Sequence, residues 1–338
     1  MFKGKRGEDV LISFALLVFA VVLVNGFTDA PNAVAGCISS RTMTPRGAIL
    51  LAGVCNFLGS LVASVFFSGV AETVYLIVDF GDDQGLALSS LFAGMCAVVV
   101  WALIAFLFGI PTSESHALIS GIVGAAIGGR MSAEAVRLSY LALVFAGLVI
   151  STVPAYFIAK RIYALMLHLF SPIRGRITKY FQRAQIFGTA SSAFLHGAQD
   201  SQKFVGVLVL GMTLYAGGEE SFRAPIGLSL ACAAVMTAGT LIGGKRIIKK
   251  LGEDMVRLDA AAGVATDVAS SAVLLICTLL GIPVSTTHSK ACAMMGAGSL
   301  TEKGLDRGVA RQMIWAWVLT FPCSAMLGFF FSWLMRRF

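Results

Sequence analysis

Two short polar motifs each occur twice in this chain, at nearly the same separation, inside sequence that is otherwise strongly apolar. Gly26-Phe27-Thr28-Asp29 is matched by Gly197-Ala198-Gln199-Asp200, 171 residues later. Gly109-Ile110-Pro111-Thr112-Ser113-Glu114-Ser115-His116 is matched by Gly281-Ile282-Pro283-Val284-Ser285-Thr286-Thr287-His288, 172 residues later. One such pair could arise by chance, but two in the same order and spacing mark a duplicated chain. Membrane proteins built from two structural repeats carry polar motifs duplicated in this way.

The residues around the motifs are suited to lipid. The chain is 57% hydrophobic and 13% charged, against about 25% charged in soluble domains, and its mean hydropathy is +0.84. Apolar stretches recur at 10–25, 47–70, 86–110, 138–159, 224–243, 259–282 and 312–335. Crossing a bilayer core takes about 20 residues. The first stretch follows Lys3, Lys5 and Arg6 and has the outline of a signal peptide, but no small-residue cleavage site follows it. It reads as a retained span. The seven cysteines (37, 55, 96, 232, 277, 292 and 323) lack a C-x-x-C pair and read as small apolar fillers.

The formal net charge of +8 sits mainly in loops, so no nucleic-acid partner is expected. Lys160, Arg161, Arg174, Arg176, Lys179 and Arg183 crowd one connector, and Lys245, Arg246, Lys249, Lys250 and Arg257 another. The positive-inside rule places both in the cytoplasm of a cell-membrane protein. The expected organisation is a first transmembrane repeat at 1–159, a basic cytoplasmic connector at 160–185 and a second repeat at 186–338. Equivalent loops carry opposite charge. Arg41 and Arg46, then Asp79, Asp82 and Asp83, follow the first motif; Glu219 and Glu220, then the Lys/Arg cluster, follow the second. Opposite bias implies opposite orientation. The predicted fold is therefore all-α and polytopic, with two inverted-topology repeats and about ten crossings. Residues 112–129 and 284–301 either span or re-enter.

Proline breaks a helix, and Ser or Thr caps the one that follows. Pro111 to His116 and Pro283 to His288 each precede a small-residue helical run. Free N–H groups, the positive end of the helix dipole and several hydroxyls then converge on each break, which makes an anion site. Two such sites about a pseudo-two-fold axis would enclose a tetrahedral oxyanion.

The Asp motifs supply the opposite sign. Asp29 and Asn32 lie three apart, as do Asp200 and Lys203, so each pair shares a helical face. A carboxylate at membrane depth is costly and defaults to function. Asp29 either binds a hard cation such as Na+ with Asn32 or carries a proton. Lys203 either neutralises Asp200 in place of a bound cation, contacts the anion, or locks two helices. Asp267, inside the span 259–282, is a cation ligand, a proton carrier or a packing partner. Glu114 has no acidic counterpart, since Thr286 takes its place, and is set aside as a substrate ligand. His116 and His288 read as hydrogen-bonding helix anchors, His196 as a tuner or relay for Asp200, and His168 as solvated. Gly124 and Gly296, again 172 apart, read as sites of close helix packing.

These motifs resemble those of the inorganic phosphate transporter (PiT) family, short bacterial type, whose duplicated signature is approximately G-x-N-D-x-x-N. Asn25 to Ala35 resembles the first family motif and His196 to Lys203 the second, while Pro283 to His288 is similar to a family element almost letter for letter. The likeness covers nearly the whole chain. It implies secondary transport of phosphate coupled to Na+ or H+, through two inverted repeats, by a homodimer in the bilayer. It also implies that Asp29, Asn32 and Asp200 belong to the cation and substrate centre, with Na+ as the bound ion. Thr112, Ser113, Ser115, Ser285, Thr286 and Thr287 would line the anion site, joined by Gln199 and Lys203 from the second motif. Departures are Thr28 and Gln199 where the family has Asn, Pro31 where a small residue is common, and Lys203 in place of the second Asn. The family also includes sulfate permeases.

The leading expectation is a secondary transporter importing phosphate, in which Asp29, Asn32, Asp200 and Asp267 manage the coupling cation. The nearest rival is the same machine carrying sulfate. Phosphate can donate a hydrogen bond to a carboxylate and sulfate at neutral pH cannot, so an Asp beside the anion favours phosphate. A rival of another class is an intramembrane hydrolase using Ser113 or Ser285 with His116 or His288, but symmetric duplication suits a two-fold cage better than one asymmetric centre. A channel is the last rival, and buried carboxylates beside broken helices favour coupled carriage. No G-x-x-x-x-G-K-[ST] loop occurs, and no organic cofactor is expected.

Overall fold

In hydrocarbon an unpaired N–H or C=O is expensive, so an apolar chain must satisfy its backbone within its own segments. The computed structural model, which describes residues 5–108, 112–217, 224–242, 254–302 and 304–337, does this with helices. They are α1 (Lys5–Thr28), α2 (Ala30–Ser39), α3 (Pro45–Phe66), α4 (Gly69–Leu76), α5 (Gln84–Phe108), α6 (Glu114–Arg130), α7 (Leu138–Phe170), α8 (Arg174–Ala216), α9 (Ile226–Ile242), α10 (Ala260–Leu279), α11 (Thr286–Gly298) and α12 (Arg307–Met335). Among the described residues, α1 with α2, α3, α5, α7, α10 and α12 make six spans long and apolar enough to cross a membrane. The apolar α9 is shorter, at 17 residues. The 43-residue α8 carries a polar face through its middle, which lowers its hydropathy. Large apolar side chains such as Leu16, Phe66, Leu107, Phe157 and Met326 point outward, as lipid contact requires. Gly109-Ile110-Pro111, Glu219, Glu220, Lys245, Arg246, Lys249 and Lys250 lie outside the described residues.

The two motif copies set up a matching pattern of packing. α1 lies on α9 as α8 lies on α3, and α6 lies on α5 and α12 as α11 lies on α10 and α7. Each half thus packs against the other's helices, and both large apolar cores draw residues from both halves. Glycines permit the crossings. A Cβ on Gly124 would run into the carbonyl of Ala325 on α12, and one on Gly296 into the carbonyl of Tyr156 on α7. The glycines that open the Asp motifs do the same work: Gly26 abuts Met236 and Gly197 abuts Asn56, each at backbone carbonyl level. Gly124→Val and Gly296→Val are each expected to destabilise by about 1–3 kcal/mol, read as a lower midpoint of thermal unfolding in detergent. Gly227→Ala, where nothing lies within 4 Å, should be neutral or slightly stabilising.

Candidate functional site

The two Pro-Ser/Thr elements end as helix caps. Ser113 accepts from the backbone N–H of His116 at 3.3 Å, and Ser285 from that of His288 at 3.2 Å. Each serine hydroxyl therefore meets a backbone amide and not a histidine ring. Thr112 is buried just before the first cap. In the second copy the break is open to view. α10 closes with Gly281 at φ +66, Ile282 N–H bonding Cys277 at 2.8 Å and Gly281 N–H bonding Thr278 at 3.1 Å, the 6→1 and 5→2 pairs that end helices at a left-handed glycine. The chain then runs unwound to Ser285, and side chains satisfy its carbonyls. Thr73 donates to Gly281 O at 2.8 Å, Gln199 to Ile282 O at 3.2 Å and Lys203 to Val284 O at 2.6 Å.

The Asp motifs differ in backbone. Pro31 stands in the first turn of α2 and lacks an N–H, so α1 and α2 part at Asp29, whereas α8 runs unbroken through Gly197 to Lys203. Each motif nonetheless reaches a capped helix of the opposite half. Asn32 donates to Thr287 on α11 at 2.8 Å, and Lys203 donates to Ser115 on α6 at 2.7 Å. Thr287 donates to Asp29 at 3.0 Å, and Thr286 to Asp200 at 3.4 Å. The Asn25 amide spans both carboxylates, 3.4 Å from Asp29 and 3.4 Å from Asp200. Lys203 Nζ lies 2.6 Å from Asp200 Oδ1, and its side chain is only 1% exposed. His196 Nε2 lies 3.2 Å from Asp200 and Nδ1 3.2 Å from Asn56.

Asp29, Asn32, Asp200, Lys203, Ser115, Thr286 and Thr287 thus form one buried network, with Gln199 at its edge bonding Thr278 and Ile282. Asp267 lies in another, paired with Lys290 and accepting from Thr189 at 2.8 Å. Two residues outside the expected site join the first network. Asn25 is the bridge, and Glu114, set aside for want of a counterpart, is buried with its carboxylate on Thr28. Burial of an unmatched acid in an apolar run was the available signal. His116 and His288 differ from the expected hydrogen-bonding anchors. Their rings meet edge to face at 4.5 Å, His288 stacks on Trp317 at 3.9 Å, and neither ring nitrogen of His288 has a hydrogen-bond partner. They hold the two helix starts together by ring packing.

Chemically, the network offers hard oxygen donors and one fixed ammonium. Asn25 Oδ1, Asn32 Oδ1 and Glu114 Oε2 are buried without a partner, and together with Asp29 they suit a cation with a taste for oxygen. Lys203→Met would leave Asp200 buried and unneutralised, an expected loss of about 3–5 kcal/mol measured by thermal unfolding in detergent. Adding Asp200→Asn should restore most of that stability.

A family model described as the phosphate transporter family matches residues 25–328. A Bacillus subtilis protein described as a "Probable low-affinity inorganic phosphate transporter" is 33% identical over 328 residues, spanning 95% of this chain and 96% of its own length. A Mycobacterium bovis protein of the same description is 32% identical over 329 residues, spanning 95% of this chain and 76% of its own. A solved structure titled "The sodium-dependent phosphate transporter" shares the fold at TM-score 0.87 and 21% identity, over 97% of this chain and 99% of that one.

Proposed function

The chain belongs to the phosphate transporter family and is a multi-pass membrane transporter, not an enzyme; on that premise we propose that it imports inorganic phosphate across the cell membrane by symport with Na+ or H+. The observation that carries this reading is the pair of cross-half bonds, Asn32 to Thr287 and Lys203 to Ser115. The anion-binding hydroxyls of each half are held by the Asp motif of the other. Rocking one half against the other would open the centre to either side of the membrane in turn. The interlocked, pairwise-matched helices support the inverted-repeat scheme of about ten crossings.

Charge explains why a cation must accompany the anion. Asp29, Asp200 and Glu114 outnumber Lys203, and all four are buried. Phosphate would add negative charge to a centre already in deficit of positive, and burying unpaired charge is prohibitive. A cation or proton at Asp29, with Asn32, Asn25 and Glu114, removes the obstacle. Lys203 supplies the balancing charge on the other side through a carboxylate, a hydroxyl and a carbonyl, the oxygen set that a Na+ would otherwise need. Phosphate is favoured over sulfate because carboxylates stand within one hydrogen bond of the hydroxyls, and only phosphate can donate to them.

Labelled phosphate uptake into proteoliposomes tests this directly. Uptake should exceed the anion's own gradient under an imposed Na+ or H+ gradient, resist excess sulfate, and vanish in folded Asp29→Asn. Normal accumulation by that variant would remove Asp29 from the coupling step. If Lys203 stands in for a cation, Lys203→Asn should make uptake newly dependent on Na+.

A further inference from the structure

The polar face of α8 does not stop at the central network. Gln185, Thr189, Ser192, His196, Asp200 and Lys203 are all buried, and at about 100° per residue they fall within roughly 60° of one line along the helix. The line runs from the centre toward the basic start of α8, where Arg174, Arg176, Lys179 and Arg183 lie. Midway, Lys290 from α11 and Asp267 from α10 meet it. The ammonium pairs with Asp267 and donates to Ser192 at 3.1 Å, and Thr189 donates to Asp267 at 2.8 Å. Along α8, Ser192 precedes Asp200 by eight residues, or about 12 Å of helix, which sets the second cluster apart from the first.

The duplicated half shows that packing does not require these groups. Carried back by the motif offsets of 171 and 172, Gln185, Thr189, Ser192, Asp267 and Lys290 correspond to Phe14, Val18, Val21, Met95 and Leu118. All five are buried in one apolar core. Where one half seals the path with hydrocarbon, the other maintains a buried ion pair and hydroxyls, although apolar replacement of such a pair is often neutral or stabilising.

Beyond the cluster the path reaches solvent in one further layer. Gln185 accepts from Ser40 at 2.7 Å and from Thr42, while its own Nε2 is buried with no partner. Ser40 lines a cavity of about 680 Å³ and Thr42 an adjoining one of about 540 Å³. Arg41 and Arg257 line both cavities, the first of which also holds Asp259 and Glu302, and both arginines are exposed.

We propose that Lys290, Ser192, Thr189 and Asp267 form a second station for the transported tetrahedral oxyanion, through which it passes between the centre and the arginine-walled cavities. This rests on the reading of the chain as a phosphate transporter. Lys290 and the hydroxyls donate to the anion, and Asp267 holds the ammonium's charge while the station is empty and accepts from a protonated phosphate oxygen when it fills. Displacement of Gln185 from Ser40 and Thr42 would open the station to the cavity.

Equilibrium binding of labelled inorganic phosphate to the purified protein, set beside proteoliposome uptake, tests the station. Wild type is expected to show two classes of site. Asp267→Met with Lys290→Leu, which writes the first half's residues into the second, should keep the tighter class at unchanged Kd and lose the other. Its uptake should fall about tenfold or more, the effect of losing hydrogen bonds to a charged group. Lys290→Arg, which keeps a cation, should retain both classes. Should the double variant fail to fold, Asp267→Asn with Lys290→Gln carries the same expectations. A single class in wild type, wild-type uptake by the double variant, or two classes persisting in it would each overturn the station. Failure of wild type to accumulate phosphate would instead strike the transport reading, since binding is measured without a gradient.

Discussion

Lys203 holds an ammonium where water cannot reach it, and a charge in that position must be answered by groups the protein itself fixes. Its three acceptors come from three places: Asp200 on its own helix, Ser115 at the start of α6 and the Val284 carbonyl in the unwound run before α11. One side chain thereby ties the second Asp motif to both Pro-Ser/Thr elements. The unwound run survives at depth for the same reason, because Thr73, Gln199 and Lys203 replace the hydrogen bonds its carbonyls would have made in a helix. The bonds that close the centre are thus bonds a phosphate would compete for, so binding and opening draw on the same interactions.

Pseudo-symmetry makes the departures from it informative. Asn32 and Lys203 occupy matched positions and make matched contacts, to Thr287 and Ser115. One is a neutral amide with an unpartnered oxygen and the other an ammonium paired with Asp200. A neutral amide leaves room for an exchangeable ion, while a tethered ammonium fills its own site and never leaves. Glu114 deepens the difference, since its counterpart Thr286 donates to Asp200 instead of adding a carboxylate. The paired contacts match and the electrostatics do not.

Much of this was legible in the sequence because local chemistry decided it. The serine caps at Ser113 and Ser285 follow from Pro-Ser/Thr ahead of a small-residue run, and the crossings at Gly124 and Gly296 from an equal offset. Six of the seven apolar stretches form helices long enough to cross a membrane, and the seventh, at 224–243, forms the shorter α9. What sequence did not disclose was fixed by partners distant in the chain. Asn25 bridges two carboxylates 171 residues apart, and nothing near it in sequence announces the second. Lys290 sits in a small-residue run, and its role depends on Asp267 from another helix. Glu114 was discounted by the very symmetry that exposed the rest. His116 and His288 pack by their rings, which only the meeting of two helix starts could reveal.

Unequal linings on the two sides of a symmetric centre do not by themselves give transport a direction. At equilibrium a passive path favours neither side, whatever groups line it, because a site that speeds departure speeds return by the same factor. On the proposed symport, direction would come from the gradient of the cation that neutralises Asp29 and its neighbours. A polar lining between the centre and the basic end can still set how fast the anion leaves there, since most differences in affinity are differences in release rate. An anion held by Lys203 faces a steep desolvation barrier if the next layer is Val18, Val21 and Phe14. The barrier is lower where the next layer is Ser192, Thr189 and Lys290. On the proposed reading, a half that keeps costly buried charges where its twin keeps hydrocarbon would lower the barrier to release on that side and leave the driving force to the coupling cation.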